Sequence, residues 1–220
     1  MKKKYYLYEM DMNVLNIVSI ILFILMMLIT LLIPNFSFNN NDIFICFVYM
    51  IPYLCLHEIL HSIGYFLHGA SWKNITFGAH LEKGVLCCLC KQNVSKKCIL
   101  ISLIYPLFFI GIVTYIISIF INSSVLLFLS ILNISGAAGD IIMFLNFLKI
   151  KDFEYSEFDD PTSFGLYSSN DLSNLKLFGL KYKEAKTSLD IKDYNKIKIS
   201  TTSIILFIII ILMSLIFLFI

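Results

Sequence analysis

Long apolar runs are the feature that most restricts how this chain can fold. The sequence has 220 residues, of which 59% are hydrophobic and only 15% are charged, and its mean hydropathy is +0.84. A soluble domain of this length is far more polar, so the composition indicates an integral membrane protein. Five runs reach the ~20 apolar residues that a membrane-spanning helix needs. They cover approximately residues 14–32, 43–67, 98–121, 125–148 and 202–220.

The lysines indicate how these runs cross the membrane. All 17 basic residues are lysines, and they lie before the first run, between the second and third, and between the fourth and fifth. The other two connections, residues 34–42 and 122–124, contain none. The positive-inside rule therefore predicts a multi-pass protein of the cell membrane with its N-terminus in the cytoplasm and its C-terminus outside. The net charge of +2 gives no reason to expect nucleic acid as a partner, whereas lysines beside the spans predict contact with membrane lipid.

The predicted fold class is an all-α integral membrane protein with five transmembrane helices and a small cytoplasmic β-hairpin. The hairpin is expected in the loop at residues 69–97, because two apolar-rich runs, at residues 74–81 and 84–91, flank a polar turn there.

Three parts of the chain are expected. Residues 1–148 would form the membrane core, residues 149–201 a cytoplasmic loop, and residues 202–220 a C-terminal transmembrane helix. Within the loop, residues 171–186 are expected to form a short helix, which Gly179 keeps from being a long one.

One motif in the second apolar run points to chemistry. In His57-Glu58-Ile59-Leu60-His61, the two histidines are four residues apart, which places both imidazoles on one face of a helix beside a carboxylate. A chance match to this pattern is expected roughly 0.002 times in a chain with four histidines and six glutamates. Charged groups within the bilayer are costly, so those that occur there are usually functional.

Asp140 is expected to lie at the same depth as this motif. The five runs contain no lysine, and their only carboxylates are Glu58 and Asp140. Counted back from the predicted cytoplasmic ends of their helices at a rise of ~1.5 Å per residue, His57, His61 and Asp140 all lie about 10–16 Å from the same face. Small residues at 135–139 also favour the close helix approach that a short carboxylate needs in order to share a metal.

The sequence therefore predicts a metal site. His57, His61 and Asp140 would be the ligands, leaving a fourth position for water, and Glu58 would be the general base. Asn133, two turns before Asp140 on the same face, is expected either to contact the substrate backbone or to make a hydrogen bond within the helix bundle.

A group of cysteines at residues 87–98 has two interpretations. Cys87, Cys88, Cys90 and Cys98 are soft ligands that can bind metal. In a strand, however, Cys87 points to the face opposite Cys88 and Cys90, which favours their being small apolar strand residues. On the cytoplasmic side they are expected to be free thiols.

These residues resemble a known family. The motif on one transmembrane helix, with an aspartate on a later helix, is similar to the site-2 protease type of intramembrane zinc metalloprotease and, more narrowly, to the putative zincin peptidases, which are small bacterial multi-pass membrane proteins. The resemblance covers about residues 43–165 and is carried by His57–His61, the segment Cys87–Lys91, Pro106 and the segment Asn133–Asp140. It implies Zn²⁺ as cofactor, with His57, His61 and Asp140 as ligands and Glu58 as catalytic base.

The expected function is zinc-dependent hydrolysis of peptide bonds in membrane-associated or transmembrane substrates, at an active site near the cytoplasmic face. The hairpin is expected to hold an extended substrate by strand addition, since a helix must unwind before its amides can be attacked. The alternative is a non-catalytic multi-pass membrane protein, such as a transport or immunity accessory or a degenerate peptidase, whose metal is structural or only bound.

Overall fold

A computed structural model describes residues 4–33, 39–80, 85–157 and 162–186 of the chain. Its helices are α1 (Met12–Thr30), α2 (Asn40–Leu67), α3 (Lys96–Pro106), α4 (Thr114–Phe120), α5 (Ser124–Gly136) and α6 (Ala138–Lys149). A π-helical segment, Leu107–Val113, joins α3 to α4. The strands are β1 (Lys4–Met10), β2 (Ile75–His80), β3 (Val85–Cys90), β4 (Val94–Ser95), β5 (Glu154–Glu157), β6 (Ser163–Ser168) and β7 (Leu180–Lys186).

The predicted fold class is wrong, because the chain is not all-α. A five-stranded antiparallel sheet has the order β4-β5-β6-β1-β7. Strand β1 comes from the N-terminal segment, which was expected only to mark topology, and β4 comes from the end of the predicted hairpin loop. Strands β5, β6 and β7 come from residues 149–201, which were expected to form a loop. The short helix expected at residues 171–186 is also wrong, since β7 pairs with β1 there and Gly179 has a φ of +70° just before the strand.

The number of spans also differs from the prediction. Within the described residues, three helices are long and apolar enough to cross a membrane: α1, α2 and the continuous helix Lys96–Phe120. The predicted fourth span is broken into α5 and α6, which are bent by 47°, so at most four spans are described. The predicted fifth span, residues 202–220, lies outside the described residues. The division of the chain at residues 148 and 201 stays a prediction.

Aromatic residues hold the sheet against the helices. One face of β1 is buried through Tyr6 and Tyr8, each 1% exposed, and this face packs with Phe164 of β6 and with Phe147 at the end of α6. Burying four aromatic side chains contributes several kcal/mol, because each removes about 150–250 Å² from water. The sheet and the helix ends therefore share one core.

The junction between β1 and α1 is a single residue, Asp11. Its side chain caps α1 by accepting from the Asn13 N–H, and its carboxylate also lies 2.8 Å from the Lys181 ammonium of β7. The hydrogen bond from the Lys181 ammonium holds the pKa of the Asp11 carboxyl below its ordinary value. The first helix is in this way tied at its start to the edge strand of the sheet.

The predicted hairpin is confirmed. Strands β2 and β3 pair antiparallel, with Ile75 opposite Cys90 and Ala79 opposite Leu86. The Lys91 N–H donates to the Asn74 carbonyl at 2.7 Å, at the next position in the same register. Because hydrogen-bonded pairs alternate along an antiparallel ladder, the backbone groups of Leu86, Cys88 and Cys90 face away from β2.

Candidate metal centre

The two motif histidines meet at one point on α2. His57 and His61 are one helical turn apart, and their Nε2 atoms lie 3.1 Å from each other. Asp140, in the first turn of α6, places its Oδ2 3.2 Å from the His57 Nε2 and 3.5 Å from the His61 Nε2. The structure thus brings together the three side chains that the sequence predicts as ligands.

The break between α5 and α6 brings Asp140 to this position. The chain bends by 47° around Ala137, which is 1% exposed like Ala138 beside it. Side chains larger than alanine at these two positions would clash with the atoms packed around them. A run of small residues was expected to allow close approach, and here it accompanies a bend that begins a new helix just before the carboxylate.

The distances fit a tetrahedral zinc ion. Zinc ligand atoms lie about 2.0–2.1 Å from the metal, so two of them at tetrahedral positions are about 3.3 Å apart. The three separations here, 3.1, 3.2 and 3.5 Å, lie around that value. The His57 and Asp140 side chains are 12% and 17% exposed, so a small opening to the surroundings remains. Two imidazoles and one carboxylate are also a donor set that zinc accepts in catalytic sites.

Hydrogen bonds on the far side of each ring determine which nitrogen faces the centre. The His61 Nδ1 lies 2.9 Å from the Ser102 carbonyl oxygen, which can only accept, so His61 carries its proton on Nδ1. The His57 Nδ1 lies 2.8 Å from the Asn133 Oδ1, because the amide nitrogen of Asn133 is directed to the Pro106 carbonyl. Both Nε2 lone pairs are therefore available to a metal, as in protein zinc sites whose histidines have such partners.

Asn133 is accounted for by these contacts. Its side chain is 5% exposed and joins α5 to both α2 and α3 through the two hydrogen bonds just described. Of the two alternatives for Asn133, the structure displays the hydrogen bond within the bundle.

Glu58 lies beside the ligands and contacts the hairpin. Ligand atoms of His57, Glu58 and His61 all lie within 4.8 Å of one another. The Glu58 carboxylate also accepts a hydrogen bond from the backbone N–H of Cys88 in β3. Since that N–H faces away from β2, the outer edge of β3 runs past the site.

Two contributors were not found from the sequence. Gly64 allows α2 and α3 to touch, because a Cβ there would lie 2.6 Å from the Ser102 Cα. Ser102 is 0% exposed, and its hydroxyl donates to the His61 carbonyl while its own carbonyl accepts from the His61 ring. A glycine one turn after the motif is a weak signal for such a contact, and a serine in an apolar run gives none.

The cysteines form no second centre in the described part of the chain. Cys87, Cys88, Cys90 and Cys98 are all buried, and none of them is in a disulfide bond. Among the residues described, the group close enough to hold a metal consists of His57, Glu58 and His61, with Asp140 beside the two histidines, and it contains none of these cysteines. The interpretation of these cysteines as apolar residues of the hairpin and its surroundings agrees with their burial.

Comparison with known proteins identifies the part of the chain that carries this centre. Residues 50–153 match the model of a family described as putative zincin peptidase. No curated protein and no solved structure gives a match. The matched segment begins on α2 before the motif and ends just after α6, so it includes every residue of the centre. The match of residues 50–153 to the putative zincin peptidase family supports metallopeptidase activity and implies zinc as the metal.

Proposed function

We propose that this protein is a membrane-embedded zinc metallopeptidase that hydrolyses peptide bonds of membrane-associated or transmembrane substrates, in the manner of site-2 proteases. One observation carries the proposal: the His57, His61 and Asp140 ligand atoms form a triangle of zinc-site dimensions, with Glu58 at its side, and the histidines and Glu58 lie on a helix apolar enough to cross a membrane.

The residues of the centre have distinct tasks in this proposal. His57, His61 and Asp140 hold the metal, and Asp140 offsets one of its two positive charges. A zinc ion held there would polarise the scissile carbonyl and lower the pKa of a water molecule, so that the water loses a proton as it attacks. Glu58 accepts the proton that this water loses as its oxygen bonds to the carbonyl carbon. The same carboxyl then donates the proton to the amide nitrogen as the C–N bond breaks.

An apolar cavity beside the centre favours an apolar substrate. It has a volume of about 180 Å³ and lies between α2 and α5. Asn133, the hydrogen-bond partner of His57, forms part of its wall. The remaining wall residues are Met50, Tyr53, Leu54, Leu129 and Leu132. A cavity of this kind accommodates an apolar side chain from a membrane segment more readily than a polar one.

The sheet supports a cytoplasmic location for the centre. Strands β1 and β4 directly precede α1 and α3, and β5 follows α6, so these three helix ends lie at the sheet. The segments at this end carry the lysines, and the positive-inside rule places lysine-rich segments in the cytoplasm. The centre would then lie below the cytoplasmic surface, within reach of the hairpin.

Cleavage of matched reporters tests the proposed substrate class. The purified protein is reconstituted in liposomes with a single-span reporter, and a soluble, unstructured peptide of the same cleavable sequence is assayed in parallel. We expect the membrane reporter to be cut, the cutting to stop with a zinc chelator, and added Zn²⁺ to restore it, as read from the fragments by mass spectrometry. Cutting of the soluble peptide alone would contradict a membrane substrate.

We further propose that the outer edge of β3 holds the substrate as an added strand. The backbone groups of Leu86 and Cys88 face away from β2, and the Cys88 N–H already contacts Glu58. A peptide extended along this edge would gain main-chain hydrogen bonds and lie beside the general base.

A pair of proline variants tests this edge. Ala79 and Leu86 are opposite each other in the hairpin, and each directs its N–H outward, Ala79 from β2 and Leu86 from β3. Leu86→Pro removes an N–H from the substrate edge, so we expect a loss of cleavage of about tenfold, which corresponds to one main-chain hydrogen bond of ~1.4 kcal/mol. Ala79→Pro should leave cleavage nearly unchanged. Equal cleavage rates for the two variants, at equal zinc content, would rule out addition at β3.

A further inference from the structure

Pro106, the last residue of α3, leaves one backbone carbonyl without its usual helical donor. In an α-helix the N–H of residue 106 would donate to the carbonyl of residue 102, but proline has no N–H. The next amide does not replace it, because the Leu107 N–H donates to the Ile104 carbonyl. The Ser102 carbonyl is therefore open to another donor, and the His61 Nδ1 lies 2.9 Å from it.

The carbonyl of Pro106 acts on the other histidine. It accepts from the Asn133 amide nitrogen at 3.2 Å, which turns the Asn133 Oδ1 to the His57 Nδ1 at 2.8 Å. The π-helical segment begins at the residue after Pro106, so the regular α-helical bonding pattern ends here. Pro106 itself is less than 2% exposed and lies inside the bundle.

We propose that Pro106 is a positioning residue that sets the tautomer and orientation of both His57 and His61. Because Pro106 has no N–H, the Ser102 carbonyl stays available to the His61 ring. The Pro106 carbonyl accepts from the Asn133 amide, and this orients the Asn133 oxygen toward the His57 ring. In both rings the proton is held on Nδ1, and Nε2 is directed at the centre. The proposal rests on the proposed metal site, but it does not require that the protein cut peptides.

The direct test measures the ring tautomers in the zinc-loaded protein, where the Nε2 atoms bind the metal. Pro106→Ala supplies an N–H that competes with His61 for the Ser102 carbonyl. In ¹⁵N NMR spectra of histidine-labelled protein in detergent, we expect His57 and His61 to be Nδ1-protonated in the natural sequence. In Pro106→Ala, a second His61 signal should appear, from rings that have turned away from the Ser102 carbonyl. An unchanged His61 signal in a folded variant would overturn the proposal.

Zinc affinity gives a second measurement, which needs no substrate. Loss of a hydrogen bond that supports a metal ligand typically weakens metal binding by about 10- to 100-fold. We expect Pro106→Ala to fall in this range when the protein competes with a chromogenic chelator for Zn²⁺. Retention of the natural affinity would contradict the positioning role, whether or not peptidase activity is ever detected.

Two further variants separate positioning from general loosening of the bundle. Ser102→Ala removes the hydroxyl bond to the His61 carbonyl but keeps the Ser102 carbonyl, so the His61 tautomer should be unchanged and zinc affinity should fall less than threefold. Asn133→Ala should alter the His57 tautomer alone, and it tests the link through Asn133 between the Pro106 carbonyl and His57 even if Pro106→Ala does not fold. If Ser102→Ala changes the tautomer as much as Pro106→Ala does, helix packing and not the freed carbonyl orients the ring, and the proposal fails.

Discussion

Replacement of Glu58 by glutamine should abolish peptide hydrolysis and leave zinc in place. The amide has nearly the same shape as the carboxylate and can still accept from the Cys88 N–H, so the centre and its contact with the hairpin should persist. What is lost is the ability to take a proton from water, and removal of a general base typically lowers turnover by about 10²- to 10⁴-fold. Cleavage of the membrane reporter and the zinc content of the purified protein measure the two effects.

The matched control for this variant is Glu154→Gln, which makes the same chemical change in β5 of the sheet. It should keep both zinc and turnover. A protein that uses its metal for structure or transport would tolerate Glu58→Gln as well as it tolerates Glu154→Gln. Equal and undiminished turnover in the two variants would rule out Glu58 as the general base, whereas no turnover even in the natural sequence would favour a non-catalytic membrane protein.

Replacement of Asp140 by asparagine should release the metal. The Asp140 carboxylate contacts the ring nitrogens of both histidines, and a neutral amide neither offsets the charge of the ion nor binds zinc as strongly. Loss of a hydrogen bond that supports a ligand lowers zinc affinity by about 10- to 100-fold. We expect the loss of the Asp140 carboxylate, a ligand itself, to lower it further. Chelator competition measures the affinity, and turnover should fall in parallel and recover partly at high zinc.

Asp152→Asn, in the connection between α6 and β5, is the control for this variant, since it removes a carboxylate outside the centre. It should leave zinc affinity unchanged. If Asp140→Asn also keeps its zinc and only lowers the thermal midpoint, Asp140 is a helix-joining carboxylate and the ligand assignment is wrong. His57→Ala should lose zinc in either case, because it removes a ligand from α2 itself.

The grouping of His57, His61 and Asp140 was predictable because these residues are local in sequence or share a depth. Four-residue spacing on a helix places His57 and His61 together whatever surrounds them. The depth of Asp140 could be inferred from the number of residues between it and the end of its apolar run, because each helical residue adds a fixed rise. Ser102 could not be found in this way, because neither its hydroxyl nor its freed carbonyl is recognisable until α2 and α3 are known to touch at Gly64.

The sheet was missed for a different reason. Residues 5–8, Tyr-Tyr-Leu-Tyr, are typical of a strand, but they lie next to a lysine cluster that the positive-inside rule explains without a strand. In the segment after α6, apolar residues such as Tyr155 and Phe164 are scattered among polar ones, so no run is long enough to identify a strand by itself. These residues are buried because β1 pairs with β6 and β7 and so completes the sheet, which the sequence does not indicate.

The sequence alone determined that this chain has membrane-length helices, a histidine pair beside a glutamate on one of them, and a hairpin after it. These features depend on local periodicity, which the backbone geometry of a helix or a strand turns directly into structure. Only the tertiary structure decided that β1 pairs with β6 and β7. It alone also decided that the fourth apolar run bends at Ala137, and that Ser102 and Asn133 orient the two histidine rings. The strand pairing and the ring contacts join residues that are more than forty positions apart in the chain. Contacts of this kind produce no periodic pattern in the sequence.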